Sequence, residues 1–182
     1  MKIASILPYK ENYSTKNAGA VSLWVSDFMK YSSYKNSIKV FGHTNNRKYL
    51  TKNYINIDLK SLNSKIASST KEYSNNIIKH LTKSYFDIVE IHNRPIMVED
   101  FVKSIESKII LYLHNDPKTM KGSKTKNEKL FLLENVDKIV FISEWVKKQF
   151  FSNLDFSDHN KTEVIYHSID PIKKLSKKKK QI

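Results

Sequence analysis

The chain has 182 residues, including 32 lysines and arginines against 18 aspartates and glutamates, for a formal net charge of +14, and it contains no cysteine. This length suffices for one domain with a complete hydrophobic core. The lack of cysteine excludes disulfides, thiolate metal sites and cysteine nucleophiles. No apolar run approaches the roughly 18–20 residues of a membrane span, and the start of the chain has no signal-peptide pattern, which predicts a cytoplasmic protein.

The positive charge does not by itself predict a nucleic-acid-binding protein. Arg47 and Arg94 are the only arginines, and all other basic residues are lysines. Proteins that read nucleic acids rely on arginine for bidentate contacts with guanine and for stacking. The abundance of Lys, Asn, Ile, Tyr and Ser is typical of an AT-rich coding sequence, which accounts for much of the charge. What remains is a positive surface suited to phosphates or to anionic membrane lipids.

The first half of the chain alternates between strand-like and helix-like segments. Apolar runs predict strands at residues 2–7, 37–42 and 53–59, and the third of these reads as an edge strand. Residues 18–31 and 62–84 have apolar side chains at helical spacing, and the longer segment reads as a covering helix. The apolar face predicted for the first helix consists of Val21, Trp24, Val25, Phe28 and Tyr31.

Gly19 stands at the start of the first predicted helix. A glycine at this position lets a ligand approach the backbone, and the free N–H groups of a helix start favour anions. One glycine is also compatible with an ordinary entry into the helix, so both interpretations stay open.

The second half continues the alternation. Strands are predicted at residues 87–91, 109–113, 137–142 and 162–166. The second of these strands is apolar without interruption, as in a strand buried on both faces of a parallel sheet. The helices between the strands are predicted after Pro95, over residues 128–136, and after the capping residue Ser143, with Trp145, Val146 and Phe150 as core residues of the last helix.

This alternation predicts an α/β fold with a doubly wound, mostly parallel, Rossmann-like sheet. Such sheets bind ligands just beyond the carboxyl ends of their strands. Three strands end alike, in His92-Asn93, His114-Asn115 and His167-Ser168. We therefore predict that His92, His114 and Ser143 surround one cleft at this edge. A cap of its strand is the alternative role of His114, and the segment around it supports that role at least as well.

Motifs of several enzyme classes are missing. The chain has only three glycines, so it contains no GxGxxG dinucleotide motif and no GxxxxGK[ST] phosphate loop. It also lacks the GxSxG and HExxH patterns of hydrolases and metalloproteases. Its histidines do not have the compact spacing of a zinc site. We predict no metal and no cofactor.

Five short segments follow one another in an informative order: NAGAV at 17–21, DIVEIHN at 87–93, HND at 114–116, VFISE at 140–144 and VIYHSIDP at 164–171. Together they resemble the N-terminal domain of GT-B glycosyltransferases, specifically glycosyltransferase family 4. Each segment is a loose match, whereas their order and spacing are fairly specific, and the resemblance covers nearly the whole chain.

The resemblance implies the N-terminal half of a two-domain enzyme that transfers a sugar, with retention of configuration, from a nucleotide-sugar donor. The acceptor would be a saccharide or a lipid-linked saccharide of envelope polysaccharide or lipopolysaccharide synthesis. His114 matches the family histidine that faces the donor sugar, which makes it the implied catalytic residue. The implied substrate-binding residues are Gly19, Ala20, His92, Asn93, Asn115, Ser143 and Glu144.

The resemblance also divides the chain, with residues 1–171 as the acceptor-side domain and residues 172–182 as a lysine-rich tail or the start of an interdomain linker. The first loop keeps one glycine where the family often has two. His167-Ser168-Ile169-Asp170 stands where the family usually has Asn-Gly-Ile/Val-Asp. No counterpart of the donor domain is present, so we expect a fragment, a split gene product or half of a two-chain enzyme, inactive alone.

A different class of function is a non-catalytic basic domain that binds anionic lipid or nucleic acid through its lysines. A lysine-driven binder loses affinity steeply as salt is added, whereas a saccharide cleft barely responds. For the transferase, we expect a cytoplasmic location, with the surface of the inner membrane as a further partner and without specific binding of nucleic acid.

Overall fold

Seven parallel strands form one sheet in the computed structural model, which describes residues 1–45, 47–59 and 69–167. The strands are β1 (Ile3–Ile6), β2 (Ile38–Gly42), β3 (Tyr54–Asn56), β4 (Ile88–His92), β5 (Lys108–Leu113), β6 (Lys138–Phe141) and β7 (Thr162–Val164). Their order across the sheet is β3-β2-β1-β4-β5-β6-β7, and every neighbouring pair is parallel. The order reverses between β1 and β4, as in doubly wound folds. The predicted fold class is therefore confirmed.

Helices connect the strands within the described ranges. They are α1 (Ala20–Tyr31), α2 (Ser69–Leu81), α3 (Val98–Val102), α4 (Lys126–Asn135) and α5 (Glu144–Phe151), with short 3-10 turns at Pro95–Met97 and Pro117–Thr119. The predicted helix over 62–84 corresponds to α2, and its first residues lie outside the described part of the chain. The predicted domain boundary at residue 171 also lies outside it.

The continuous apolar run of the sequence became β5, near the middle of the sheet. Leu111 of β5 is paired with Ile91 of β4 on one side and with Ile139 of β6 on the other. All three side chains are completely buried. A strand with neighbours on both edges and helices on both faces needs apolar residues at successive positions, which explains the run.

Helix α1 packs on the sheet through only part of the predicted face. Val21 and Val25 are buried as predicted, and Met29 is also buried. The exposed fractions of Phe28 and Tyr31 are 43% and 65%, so these two residues do not belong to the core. Ser22 is completely buried instead. The Trp24 ring stacks on Phe28 with their centroids 5.5 Å apart, on the side of the helix that looks toward the carboxyl edge of the sheet. The rotation of the helix therefore brings an aromatic side chain to the candidate site.

Two helix positions in the second half also depart from the sequence prediction. Trp145, predicted as a core residue of α5, is 55% exposed, while Phe151 is buried. Lys129 of α4 is completely buried. Its Nζ donates to the Oδ1 of Asn153, and burial lowers the pKa of the amine. The core beneath α4 and α5 thus contains one amine that its apolar pattern did not reveal.

Candidate functional site

The carboxyl edge of the sheet carries a continuous row of side-chain hydrogen bonds. The row begins in β1, where Ser5 Oγ lies 3.0 Å from His92 Nε2. His92 Nδ1 lies 3.0 Å from Nε2 of His114, which follows β5. His114 Nδ1 lies 3.2 Å from Nε2 of His167, which follows β7. These four residues are termed the histidine row.

The histidine row runs from the interior of the protein to its surface. Ser5, His92 and His114 are buried, with exposed fractions of 2%, 0% and 7%, whereas His167 is exposed. A neutral imidazole has one N–H donor and one acceptor nitrogen. If Ser5 Oγ donates to His92, all three rings carry their proton on Nδ1, and if His167 donates inward, all three carry it on Nε2. The proton positions of the three rings are therefore coupled.

His114 occupies the middle of the row and is held neutral. Its burial, followed by the neighbouring His92 and His167, lowers its pKa to about 2. Burial also lowers the pKa of His167. Both ring nitrogens of His114 are bonded to other histidines, so neither is free for a ligand in this conformation. His114 is thus a neutral hydrogen-bonding group whose outer partner, His167, is the one exposed to solvent.

Trp24 of α1 covers the histidine row. Its ring centroid lies 5.5 Å from that of His92, 5.2 Å from that of His114 and 5.5 Å from that of His167. The Tyr112 ring stacks on the His92 ring with their centroids 4.7 Å apart, and it also lies 5.3 Å from the Trp24 ring. An indole and a phenol ring against the imidazoles exclude water, and the hydrogen bonds of the row are stronger in such a medium. The apolar pattern of α1 predicts Trp24 as a core residue and gives no sign of its contact with the histidines.

Glu90 is the carboxylate that faces the inner end of the row. Its Oε2 lies 3.9 Å from His92 Nε2, too far for a hydrogen bond but within ion-pair range, and Glu90 is buried. Neither Glu90 nor Ser5 was identified from the sequence as a site residue. The sequence contains no signal for them, because both lie in strands where only the tertiary structure shows which neighbour they meet.

Asn93 and Asn115 follow the two histidines in sequence but have different environments. Asn93 has a left-handed backbone with a φ of 52°, and its Oδ1 accepts from His114 N at 2.7 Å. This bond ties the end of β4 to the end of β5 and positions His114. Asn115 is exposed beside His114. Of these two predicted substrate-binding residues, Asn93 uses its amide oxygen within the protein and Asn115 faces solvent.

Ser143 and Glu144 lie at the same edge of the sheet, after β6. The Ser143 Oγ accepts from Val146 N at 3.3 Å, which confirms the predicted helix cap, and Glu144 is exposed in the first turn of α5. In the described part of the chain, neither side chain bonds to the histidine row. The structure thus brings His92 and His114 into contact and leaves Ser143 and Glu144 as neighbours along the edge.

The start of α1 is occupied by a carboxylate of the chain itself. Gly19 precedes the helix and Ala20 begins it. Glu11 Oε1 accepts from Ser22 N at 3.2 Å, and a Cβ on residue 19 would lie 2.0 Å from the same oxygen. The glycine therefore makes room for the side chain of Glu11. An anionic ligand at Gly19 and Ala20, as predicted from the sequence, would have to displace this carboxylate.

Within residues 1–45, 47–59 and 69–167, no group of three or more His, Asp or Glu side chains has the geometry to hold a metal ion. The same ranges contain no helix with the length and apolar character that crossing a bilayer requires.

A cavity of about 460 Å³ lies at the opposite edge of the sheet, where Lys2 precedes β1 and Ser37 precedes β2. In parallel sheets, ligands bind at the carboxyl ends of the strands. The position of this cavity at the amino ends of the strands therefore disfavours it as the functional site, and the histidine row is the better candidate.

Comparisons with known proteins agree with this topology. No known family profile matches the chain. A Bacillus subtilis (strain 168) protein named Putative glycosyltransferase YtcC is 26% identical over 176 residues, which make up 93% of this chain and 40% of that protein. Among solved structures, Anabaena HepE in complex with UDP-glucose matches with a TM-score of 0.64 at 12% identity, over 93% of this chain and 44% of that chain. The fold is glycosyltransferase-like, of the GT-B type.

These matches cover nearly all of this chain and less than half of each of the two known proteins, YtcC and HepE. A structure of sucrose-phosphate synthase from Thermosynechococcus elongatus matches with a TM-score of 0.58 at 10% identity, over 91% of this chain and 88% of that chain. The predicted resemblance is confirmed at the level of a glycosyltransferase-like fold. These matches do not assign the chain to family 4.

Proposed function

We propose that the chain is the acceptor-side domain of a retaining, family-4-like glycosyltransferase that acts with a separate donor-binding domain. The observation that carries the proposal is the histidine row, which lies at the carboxyl edge of a GT-B-like sheet beneath the Trp24 ring. The donor in this proposal is a nucleotide-sugar, the class of ligand named for HepE. The acceptor is a saccharide or lipid-linked saccharide of the cell envelope.

His114 contributes a hydrogen bond to the donor sugar in this proposal. If Ser5 donates to His92, then His92 Nδ1–H donates to His114 Nε2, and His114 is left with its proton on Nδ1. That N–H now points to His167 Nε2. When an oxygen of the donor replaces His167, the same N–H positions the sugar or stabilises the negative charge that develops on the departing phosphate, and the row behind it is already oriented.

His167 is the group that must leave for this contact to form. It is exposed, and it immediately precedes residue 168, where the resemblance places the crossing to the second domain. The movement of a donor domain into place would draw this part of the chain with it. We therefore expect His167 to be exchanged for the donor sugar when the two domains assemble, with residues 1–171 as one domain and residues 172–182 leading to the other.

The experiment is sugar transfer from UDP-glucose by the chain with a donor domain supplied in trans or in a longer polypeptide. Because the hydrogen bond acts mainly in the transition state, His114→Ala should lower kcat by about 10²- to 10³-fold with little change in KM. His114→Asn should recover part of the loss, since its amide still donates. The exposed His80, on α2, provides the control variant His80→Gln, which should keep wild-type kinetics.

His114 is buried and bonded on both sides, so the thermal midpoint of each variant is measured in parallel. Activity of a folded His114→Ala protein within a few-fold of wild type would show that His114 is only a structural cap. We expect no transfer from the 182-residue chain without a donor domain, because half of the groups that bind the transition state are then missing.

The competing proposal from the sequence is a non-catalytic basic domain for anionic lipid or nucleic acid, supported by the net charge of +14. It predicts binding to anionic vesicles or duplex DNA that weakens steeply between 50 mM and 200 mM salt. A transferase at the surface of the inner membrane would also bind anionic vesicles, but its transfer rate on a soluble acceptor would depend little on salt. Salt-dependent binding without any transfer in the assembled enzyme favours the non-catalytic domain.

A further inference from the structure

Arg94 has no carboxylate within ion-pair distance among the described residues. It follows β4 and Asn93, and its side chain is half-buried. Its Nη1 donates to Asn93 O at 2.9 Å and its Nη2 donates to Tyr9 O at 3.2 Å. Within residues 1–45, 47–59 and 69–167, these are its only hydrogen bonds, and no carboxylate lies within 4 Å of the guanidinium. A guanidinium has five N–H donors, so three remain for a ligand.

Both carbonyls that accept from Arg94 lie at or beside a left-handed backbone position. Among the described residues, the non-glycine positions with a positive φ are Lys10, at 70°, and Asn93, at 52°. The two carbonyls that Arg94 binds belong to Asn93 itself and to Tyr9, directly before Lys10. Left-handed backbone at non-glycine residues is costly and concentrates at binding sites, where the rest of the fold holds it in place. Here it holds the guanidinium at the sheet edge.

The groups around Arg94 are mainly cationic or hydrogen-bond donors. Lys10 Nζ lies 5.5 Å from the centroid of the Tyr9 ring, and the His43 ring lies 6.1 Å from the same ring. His43 follows β2, and its Nδ1 is bonded to Ile57 O at 2.9 Å. Three neighbouring strand ends thus present an arginine, a lysine and an imidazole within one region of the carboxyl edge.

Glu11 contributes a negative charge near Arg94. Burial lowers the pKa of the Arg94 guanidinium, whereas the electrostatic interaction with Glu11 raises it. Its carboxylate is already engaged, since Oε1 accepts from Ser22 N at the start of α1. The formal charges of Lys10, Arg94 and Glu11 therefore leave the region positive.

We propose that Arg94 binds an anionic group of the acceptor, a phosphate or a carboxylate carried by the saccharide. The inference rests on the proposed function, in which this domain holds the acceptor, and it narrows the acceptor to an anionic one. A planar guanidinium offers two parallel N–H donors that fit the oxygens of a phosphate or carboxylate, which a lysine ammonium does not. A neutral saccharide would leave this charge without a partner.

The experiment titrates the 182-residue chain with α-D-glucose 1-phosphate, with D-glucuronate and with neutral D-glucose at low ionic strength. The chain has only two arginines, Arg47 and Arg94, so the ¹⁵N Nε–H region of an NMR spectrum reports each of them separately. We expect at least one of the two anions to shift the Arg94 signal at concentrations roughly tenfold below those of glucose, and the Arg47 signal to stay in place.

Four variants test the assignment. Arg94→Gln should weaken binding of the anion about tenfold or more, and Arg94→Lys should also weaken it, because the charge is kept while the paired donors are lost. Arg47→Gln, which changes the other arginine on an exposed position, should bind as wild type does. Glu11→Gln should strengthen binding, since it removes a negative charge that acts on Arg94 and keeps an oxygen for Ser22 N.

Two results would overturn the inference in favour of general surface charge. One is equal anion binding by wild type and Arg94→Lys, and the other is a loss of anion binding in Arg47→Gln as large as that in Arg94→Gln. Arg94→Lys keeps the charge, so it decides the question if Arg94→Gln fails to fold. Failure of this site is distinguishable from failure of the proposed function. Transfer by the assembled enzyme without anion binding at Arg94 rejects the site alone, and anion binding without transfer rejects the proposed function alone.

Discussion

The buried, neutral His114 should make the protein lose stability in mild acid, and His114→Asn should remove that loss. The pKa of His114 is lowered from its usual 6.5 to about 2 because the ring is buried beside two other imidazoles. Below pH 6.5 the unfolded chain takes up a proton at this position and the folded chain does not. The unfolded state then binds more protons, so stability is complete above pH 6.5 and falls as the pH drops toward 2.

The magnitude follows from the two pKa values. Each pH unit within this window costs about 1.4 kcal/mol, so the His114 contribution between pH 7 and pH 5 is about 2 kcal/mol. This figure depends on the unfolded-state pKa and hardly on the folded one, provided that the latter lies below about 4. For a domain of this size, the thermal midpoint should fall by roughly 4–8 °C.

The assay is urea unfolding followed by circular dichroism at pH 7 and pH 5. Wild type and the control His80→Gln should both show the loss, and His114→Asn should show a loss smaller by about 2 kcal/mol. The variant is expected to be less stable than wild type at pH 7, because His92 and His167 each lose a partner. An identical pH dependence of wild type and His114→Asn would refute the reasoning.

Three other substitutions test separate parts of the structure. His167→Ala should lower the free energy of unfolding by only about 0.5–1.5 kcal/mol, the net value of one hydrogen bond. It should also shift the ¹⁵N signal of His114 Nδ1, and an unchanged signal would contradict the contact between the two rings. Gly122→Ala should lower stability by on the order of 1–3 kcal/mol in thermal unfolding, because φ at Gly122 is +91° and a Cβ would lie 2.4 Å from the backbone nitrogen of Ile96. A thermal midpoint equal to that of wild type would show that this loop adapts. Lys129→Met should leave stability at pH 7 unchanged or increase it, because an apolar side chain of similar length replaces a buried amine. A loss of stability above about 3 kcal/mol would mean that the hydrogen bond from Lys129 to Asn153 is essential.

The positions of the strands and the identity of the sheet edge were predictable from the sequence. Unbroken apolar runs mark strands buried on both faces, and their alternation with helical patterns requires parallel connections. Since parallel strands end at one edge, His92 at the end of β4 and His114 directly after β5 had to lie on the same side of the sheet. Ser143 was likewise identifiable as a helix cap, because capping depends on residues three positions apart.

The tertiary structure alone decided which of these residues touch. The direction of a side chain at a strand end depends on the backbone angles of the turn, as at Asn93, and on the packing of the neighbouring helix. For α1, the rotation on the sheet kept Val21 and Val25 in the core, buried Ser22 and placed Trp24 over the histidines. Apolar periodicity alone also favoured burial of Phe28 and Tyr31, which are exposed. Similarly, Gly19 serves the carboxylate of Glu11, a contact across a loop that local sequence patterns do not encode. Local periodicity thus determined the elements, and long-range packing determined the site.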